Sequence, residues 1–247
     1  MTSKAGKSAK GGAAALRTLI DEVVAANRIL ADQGVLDSYG HVSARHPRDP
    51  ARFLISRSLA PELVTAKDIM DLDLEGNPGE GDPRSSYLER FIHAEIYRAR
   101  PDVMAVVHSH AASVIPFASS QIKLRPIYHM SGFLGAGPSV FDIRRGFGNT
   151  DMLVRNRAQG VALARTLGKD SVSLMRGHGY VAVAASVPVV VFRAIYTERN
   201  ALLQQSALAM GGALRFLNDE EAVLAEASVR GTIERPWELW KRKALSA

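Results

Sequence analysis

The 247 residues contain no cysteine. Disulfides, cysteine nucleophiles and thiolate metal sites are thereby excluded, and His, Asp and Glu remain as the only strong metal ligands. Long hydrophobic runs are missing too. No apolar stretch reaches the roughly 20 residues of a membrane span, and the Ala-rich N-terminus has no hydrophobic signal core, so a cytoplasmic protein away from membranes is expected. Aromatic residues make up only 6%, and the Lys and Arg residues are scattered rather than clustered with them. The net charge of +6 therefore points to a small anionic substrate and a basic tail, not to nucleic acid. Phosphate and dinucleotide loops are absent: Gly6-Lys7-Ser8 lacks the upstream glycine of a P-loop, and Gly146-Phe147-Gly148 has no strand before it.

What is present centres on residues 103–112, Val-Met-Ala-Val-Val-His-Ser-His-Ala-Ala. This apolar, β-branched run predicts a buried strand ending on His108 and His110, whose i, i+2 spacing projects both rings to one side. Two neutral imidazoles converging at a strand end suit a divalent metal with room left for substrate. Upstream, residues 84–100 predict a helix with Leu88, Ile92 and Ile96 at helical spacing, Ser85 or Ser86 as N-cap and Pro101 as stop. Glu89 and His93 share one face of it, one turn apart. The Glu89 carboxylate there suits metal ligation, acid/base work or an ion pair; near apolar walls its pKa would be raised towards neutrality. Downstream, residues 172–185 predict a hairpin with Gly177-His178-Gly179 at its turn, where the glycines free the backbone to aim an imidazole.

Glu89, Arg100-Pro101-Asp102-Val103, Val106-Val107-His108-Ser109-His110 and Arg176-Gly177-His178-Gly179, together with Gly40 to Arg45, resemble the class II aldolase/adducin family in order and spacing. The resemblance covers roughly residues 14–210 and implies an α/β fold: three α/β/α layers around a mostly antiparallel sheet. It further implies a homotetramer with active sites between subunits, metal ligands His108, His110 and His178, Glu89 as acid/base, and one divalent ion per subunit, whether zinc, manganese, cobalt or iron(II). One such domain over residues 13–247, after a disordered basic tail over 1–12, is expected.

Family members often carry Gly-Asn-x-Ser in a loop that contacts substrate phosphate, where this chain has Gly40-His41-Val42-Ser43. The aldolases also use a C-terminal tyrosine, whereas no tyrosine follows Tyr196 and the chain ends in Trp237-Glu238-Leu239-Trp240. With Ser85 to Phe91 and Tyr128-His129, these departures make the chain look most like the branch that decarboxylates hydroxylated pyridine dicarboxylates or dihydroxyphthalates. By that resemblance His41, Ser43, Arg57, Ser85 and Arg176 are candidate substrate contacts, with Arg84 an added choice for a carboxylate, and Tyr128 or His129 is a second acid. The two tryptophans would either stack on a flat substrate or dock the tail by burial. An aldolase of a sugar phosphate or short hydroxy-keto acid is the nearer alternative, and a non-catalytic adducin-like scaffold the farther one. Among the remaining elements, residues 53–56 and 70–74 predict strands, 124–130 a strand-like segment, and 13–32, 150–167 and 188–210 helices.

Overall fold

The computed structural model describes residues 4–246, with side chains from Gly12 onward. In chain order its elements are α1 (Lys4–Asp32), β1 (His41–Arg45), β2 (Arg52–Ser56), β3 (Ile69–Asp73), α2 (Arg90–Ala99), β4 (Ala105–Ser109), α3 (Ile115–Ser119), β5 (Ser139–Phe141), α4 (Arg144–Phe147), α5 (Arg157–Leu167), β6 (Val172–Met175), β7 (Gly179–Ala184), α6 (Val187–Ala209), α7 (Asp219–Arg230) and α8 (Glu234–Ser246). The seven strands form one sheet in the order β3-β2-β1-β4-β7-β6-β5, antiparallel throughout except for the parallel β5–β6 pair. Residues 1–3, part of the expected tail, lie outside the described residues; the first helix begins at Lys4, earlier than the expected Ala13.

Alternation along the strands divides the core into two layers. Ala105 and Val107 of β4, with Tyr180, Ala182 and Ala184 of β7, pack against α1, α6 and α8. Val106, Val181 and Val183 face the opposite way, onto Ile92, Ile96 and Tyr97 of α2 and Leu163 and Leu167 of α5. Helices thus cover both faces, which is the expected three-layer arrangement. His108 shares the α2 side with Val106, so the central strand delivers its histidine at the sheet edge of the second layer. Trp237 and Trp240 are buried in the first layer, Trp240 with its ring 6.4 Å from Tyr196 of α6. They dock the C-terminal helix.

Three further elements differ from expectation. α2 starts at Arg90, not near Ser85, because Ser86 bridges Arg57 and the Ser85 carbonyl accepts the Ser58 N–H at 2.9 Å, holding this segment extended. α5 starts at Arg157, where the Asn156 side chain caps it by accepting from Gln159 N–H. Residues 124–130 form no strand. Their backbone is satisfied instead by α6 side chains: Asn200 accepts from Ile127 N–H and donates to the Arg125 carbonyl, while Gln204 accepts from Arg125 N–H and donates to the Lys123 carbonyl.

Candidate metal centre

Four side chains from distant parts of the sequence meet beside the C-terminal end of β4. His108 comes from the strand, His110 from the first residue beyond it, His178 from the β6–β7 turn and Glu89 from the residue before α2; their ligand atoms all lie within 4.8 Å of one another. The β6–β7 turn can reach this point because residue 179 is glycine: a Cβ there would stand 2.0 Å from the Ser109 carbonyl oxygen. Gly177 adopts φ +65°, a left-handed conformation that turns the backbone back on itself and aims His178 inward.

The hydrogen bonds of the three imidazoles fix their tautomers. His108 Nδ1 donates to the Tyr180 carbonyl at 3.1 Å, His178 Nδ1 to the Met152 carbonyl at 3.0 Å, and His110 Nδ1 to both oxygens of Asp37 at 3.2 Å. Every Nε2 is then a bare acceptor turned towards the others, with His110 Nε2 3.1 Å from His108 Nε2 and 3.2 Å from His178 Nε2. Three lone pairs so close repel unless a cation lies among them. Nitrogens on a tetrahedral ion at roughly 2.0–2.1 Å stand about 3.3 Å apart, so the donor set fits a divalent metal. Glu89 and His108 are buried while His110 and His178 are partly open, which leaves one side for substrate.

The outer partners are as informative as the ligands. Met152 is the one non-glycine residue with positive φ, at 73°, among the described residues, and its carbonyl is the acceptor for His178. Asp37 was not singled out from sequence. Its Oδ1 also accepts the N–H groups of Tyr39 and Gly40 at 2.9 Å, an Asx turn that ties the loop before β1 to His110. Burial pushes the Asp37 carboxyl up, but the Tyr39 N–H and the neighbouring His110 outweigh it and hold the pKa below the usual range.

Glu89 departs from expectation. Oε1 accepts the Val154 N–H at 2.8 Å, and Oε2 lies 3.5 Å from His108 Nε2 and 3.4 Å from His178 Nε2. Burial raises its pKa, but the His108 and His178 imidazoles beside it outweigh burial, so the net direction is below the ordinary carboxylate value and not towards neutrality. The resting form is the carboxylate.

The remaining candidates separate. His41 pairs in register with His108, and the two rings lie 5.1 Å apart, so His41 does reach the centre. Ser43 is fully buried with its hydroxyl engaged by His93 Nδ1 at 2.6 Å and Tyr97 Oη at 2.7 Å; it touches the site only through them. Arg57 is paired with Asp68 at 2.6 Å, Arg84 with Asp82, and Arg176 with Asp142 at 2.8 Å, so each of these cations already has a carboxylate in its own chain. Ser85 is exposed beside the Arg57 segment. Tyr128 is half-buried against Tyr196, its pKa raised by burial, and His129 is exposed 6.0 Å from it; the chain does not bring either to the histidines.

Fold and centre together define a three-layer α/β enzyme with a three-histidine, one-carboxylate site between a central strand and the helix packed on it. The chain belongs to the class II aldolase and adducin family: the model for the Class II Aldolase and Adducin N-terminal domain matches residues 21–205. It is 39% identical over 238 residues to the decarboxylase tropJ of Talaromyces stipitatus, covering 87% of this chain and 90% of that one. It is 33% identical to the 3,4-dihydroxyphthalate decarboxylase of Arthrobacter keyseri, over 81% of this chain and 83% of the relative. An aldolase II superfamily protein from Pseudomonas syringae superposes with a TM-score of 0.77 at 25% identity, over 92% of each chain. These relatives make the chain a carbon–carbon lyase. No helix among the described residues is long and apolar enough to cross a membrane.

Proposed function

We propose that this lyase decarboxylates a hydroxylated aromatic or pyridine dicarboxylate at one divalent metal ion held by His108, His110 and His178. The observation that carries the reading is the convergence of three Nε2 acceptors, each backed by its own Nδ1 acceptor, around an ionised Glu89. A metal bound there supplies a Lewis acid that draws electron density from a ring hydroxyl and the carboxylate beside it.

Glu89 does the proton work. Its Oε1 is anchored on Val154, which leaves Oε2 facing the site as a base. It takes the proton of the ring hydroxyl as substrate binds. The ring–carboxylate bond then breaks, carbon dioxide leaves, and the electron pair stays on the ring carbon. Glu89, now protonated, returns the proton to that carbon, and the ring oxygen is reprotonated from solvent. The ionised resting form is the one that can accept a proton before it donates one. Substitution Glu89→Gln is expected to suppress turnover on the order of 10²–10⁴-fold with metal stoichiometry retained.

Tyr128 or His129, on this reading, is the second acid and reaches the site from a neighbouring copy in a homotetramer whose sites lie between subunits. Exposed Leu202 and Leu203 on α6 and exposed Val223 and Leu224 on α7 offer apolar surface for such an assembly. The single domain over residues 13–247 and a cytoplasmic setting are part of the same proposal. Metal-reconstituted protein is to be incubated with 3,4-dihydroxyphthalate, hydroxypyridine dicarboxylates and short sugar phosphates. Carbon dioxide from an aromatic acid, abolished by a chelator, is the expected result; aldehyde release alone would replace the decarboxylase by an aldolase.

A further inference from the structure

Behind the metal centre a line of buried polar groups runs into the second core layer. His41 Nδ1 is 2.6 Å from His93 Nε2, His93 Nδ1 is 2.6 Å from Ser43 Oγ, and Ser43 Oγ is 2.7 Å from Tyr97 Oη. All four residues are at most 1% exposed. Ordinary core packing does not call for four adjoining polar side chains, and each must find a partner or cost stability.

Counting donors and acceptors sets the direction of the line. Both imidazoles are buried and their facing nitrogens, 2.6 Å apart, have room for one proton between them, so each ring carries one N–H. The far end is fixed by Tyr97, whose phenolic oxygen has Ser43 Oγ as its one hydrogen-bond partner among the described residues. If Ser43 donated to that oxygen, the Tyr97 proton would have no acceptor in a sealed site. Tyr97 therefore donates to Ser43, Ser43 to His93 Nδ1, and His93 Nε2–H to His41 Nδ1. His41 is left with its proton on Nε2. That nitrogen has no hydrogen-bond partner among the described residues, and the ring sits 5.1 Å from His108 and 4.4 Å from Tyr87.

We propose that Tyr97 is a positioning residue which, through Ser43 and His93, fixes His41 as a neutral Nε2–H donor for an anionic oxygen of the substrate held at the metal centre. The oxygen assigned is one of the carboxylate that the product retains, since the candidate arginines Arg57, Arg84 and Arg176 are already paired with aspartates; this assignment rests on the decarboxylase reading. A neutral, single, directional donor recognises a planar carboxylate without binding it so tightly that product is trapped. It also differs from the side-chain amide of the Gly-Asn-x-Ser pattern, which presents two protons. Ser43, expected to touch substrate itself, acts here through His41.

The test joins spectroscopy and kinetics. In metal-loaded protein labelled with ¹⁵N at histidine, His41 is expected to show a protonated Nε2 and a bare Nδ1, and the Nε2 signal to shift when 3,4-dihydroxybenzoate is added. Tyr97→Phe removes the polarising proton; the His41 signals should change to a mixture of tautomers. KM for the aromatic acid should rise about 10-fold with kcat changed less than about 3-fold, the signature of lost ground-state binding. Ser43→Ala should reproduce both effects. A native His41 protonated on Nδ1, or a Tyr97→Phe protein with unaltered His41 signals and KM, overturns the proposal. The spectra do not depend on turnover: a protein that releases no carbon dioxide but shows the expected His41 tautomer and shift refutes the decarboxylase reading alone.

Discussion

The substitution Asp37→Asn isolates the contribution of an outer carboxylate to the metal centre. The amide oxygen of the new side chain can still accept from the N–H groups of Tyr39 and Gly40, so the turn before β1 persists; what is lost is the negative charge facing His110 Nδ1. Outer-partner changes of this kind cost roughly 10–100-fold in metal affinity. Asp37 has 49% of its side-chain surface open to solvent and both contacts to His110 are 3.2 Å, so screening places the loss at the low end. A weakening of about tenfold is expected, about 1.4 kcal/mol. Apo-protein and the variant are to be titrated with zinc against a chromophoric chelator. Native affinity in the variant would mean that His110 is oriented by β4 and the loop alone, and the argument from outer partners would fail.

Three other outcomes follow from the packing. Gly179→Ala forces a Cβ into the Ser109 carbonyl, which should cost about 3 kcal/mol and lower Tm by roughly 6–12 °C in a thermal melt; an unchanged Tm would deny the close approach of the β6–β7 turn to β4. Trp240→Ala should destabilise by about 3–5 kcal/mol in a urea titration while KM stays within about twofold, because Trp240 packs on Tyr196 and not on substrate; a raised KM with native stability would reverse that assignment. His93 is held neutral by burial, its pKa pulled down from about 6.5 to about 3. The unfolded chain then binds a proton that the folded chain refuses as pH falls from about 6.5 towards 3, so stability is full above that window and lost within it. His93→Gln should flatten this part of the pH–stability curve, and a slope equal to the parent's would place the loss elsewhere.

Much of the site was legible in the sequence because its ligands lie on elements with strong local patterns. The β-branched run before His108 and the two glycines around His178 are visible without the fold. Their partners are not: Asp37 lies 73 residues before His110, and Tyr97 meets Ser43 across 54 residues, contacts that exist only once β1 is paired with β4 and covered by α2. Long-range pairing also misled the local reading of residues 84–89, where a helical pattern yields to the Arg57–Ser86 bridge. Residues 124–130 looked like a strand since nothing local reveals that Asn200 and Gln204 will stand in for a neighbouring strand. α7 was overlooked although its signal was present: Asn218 and Glu221 form a capping box. The raised pKa expected for Glu89 failed for the same reason as Asp37 was missed, since apolar flanks are local and the two histidines that reverse the shift are not.

The proposed chemistry requires that carbon dioxide release depend on metal at the three histidines. Metal-stripped protein is to be titrated with a divalent ion while bound metal and ¹³C-labelled carbon dioxide from 3,4-dihydroxyphthalate or a hydroxypyridine dicarboxylate are recorded together. Release that rises with bound metal and levels off at one ion per chain, and that vanishes in a His110→Ala protein, is the predicted result. Undiminished release from the stripped protein, or from the His110→Ala protein, would contradict it.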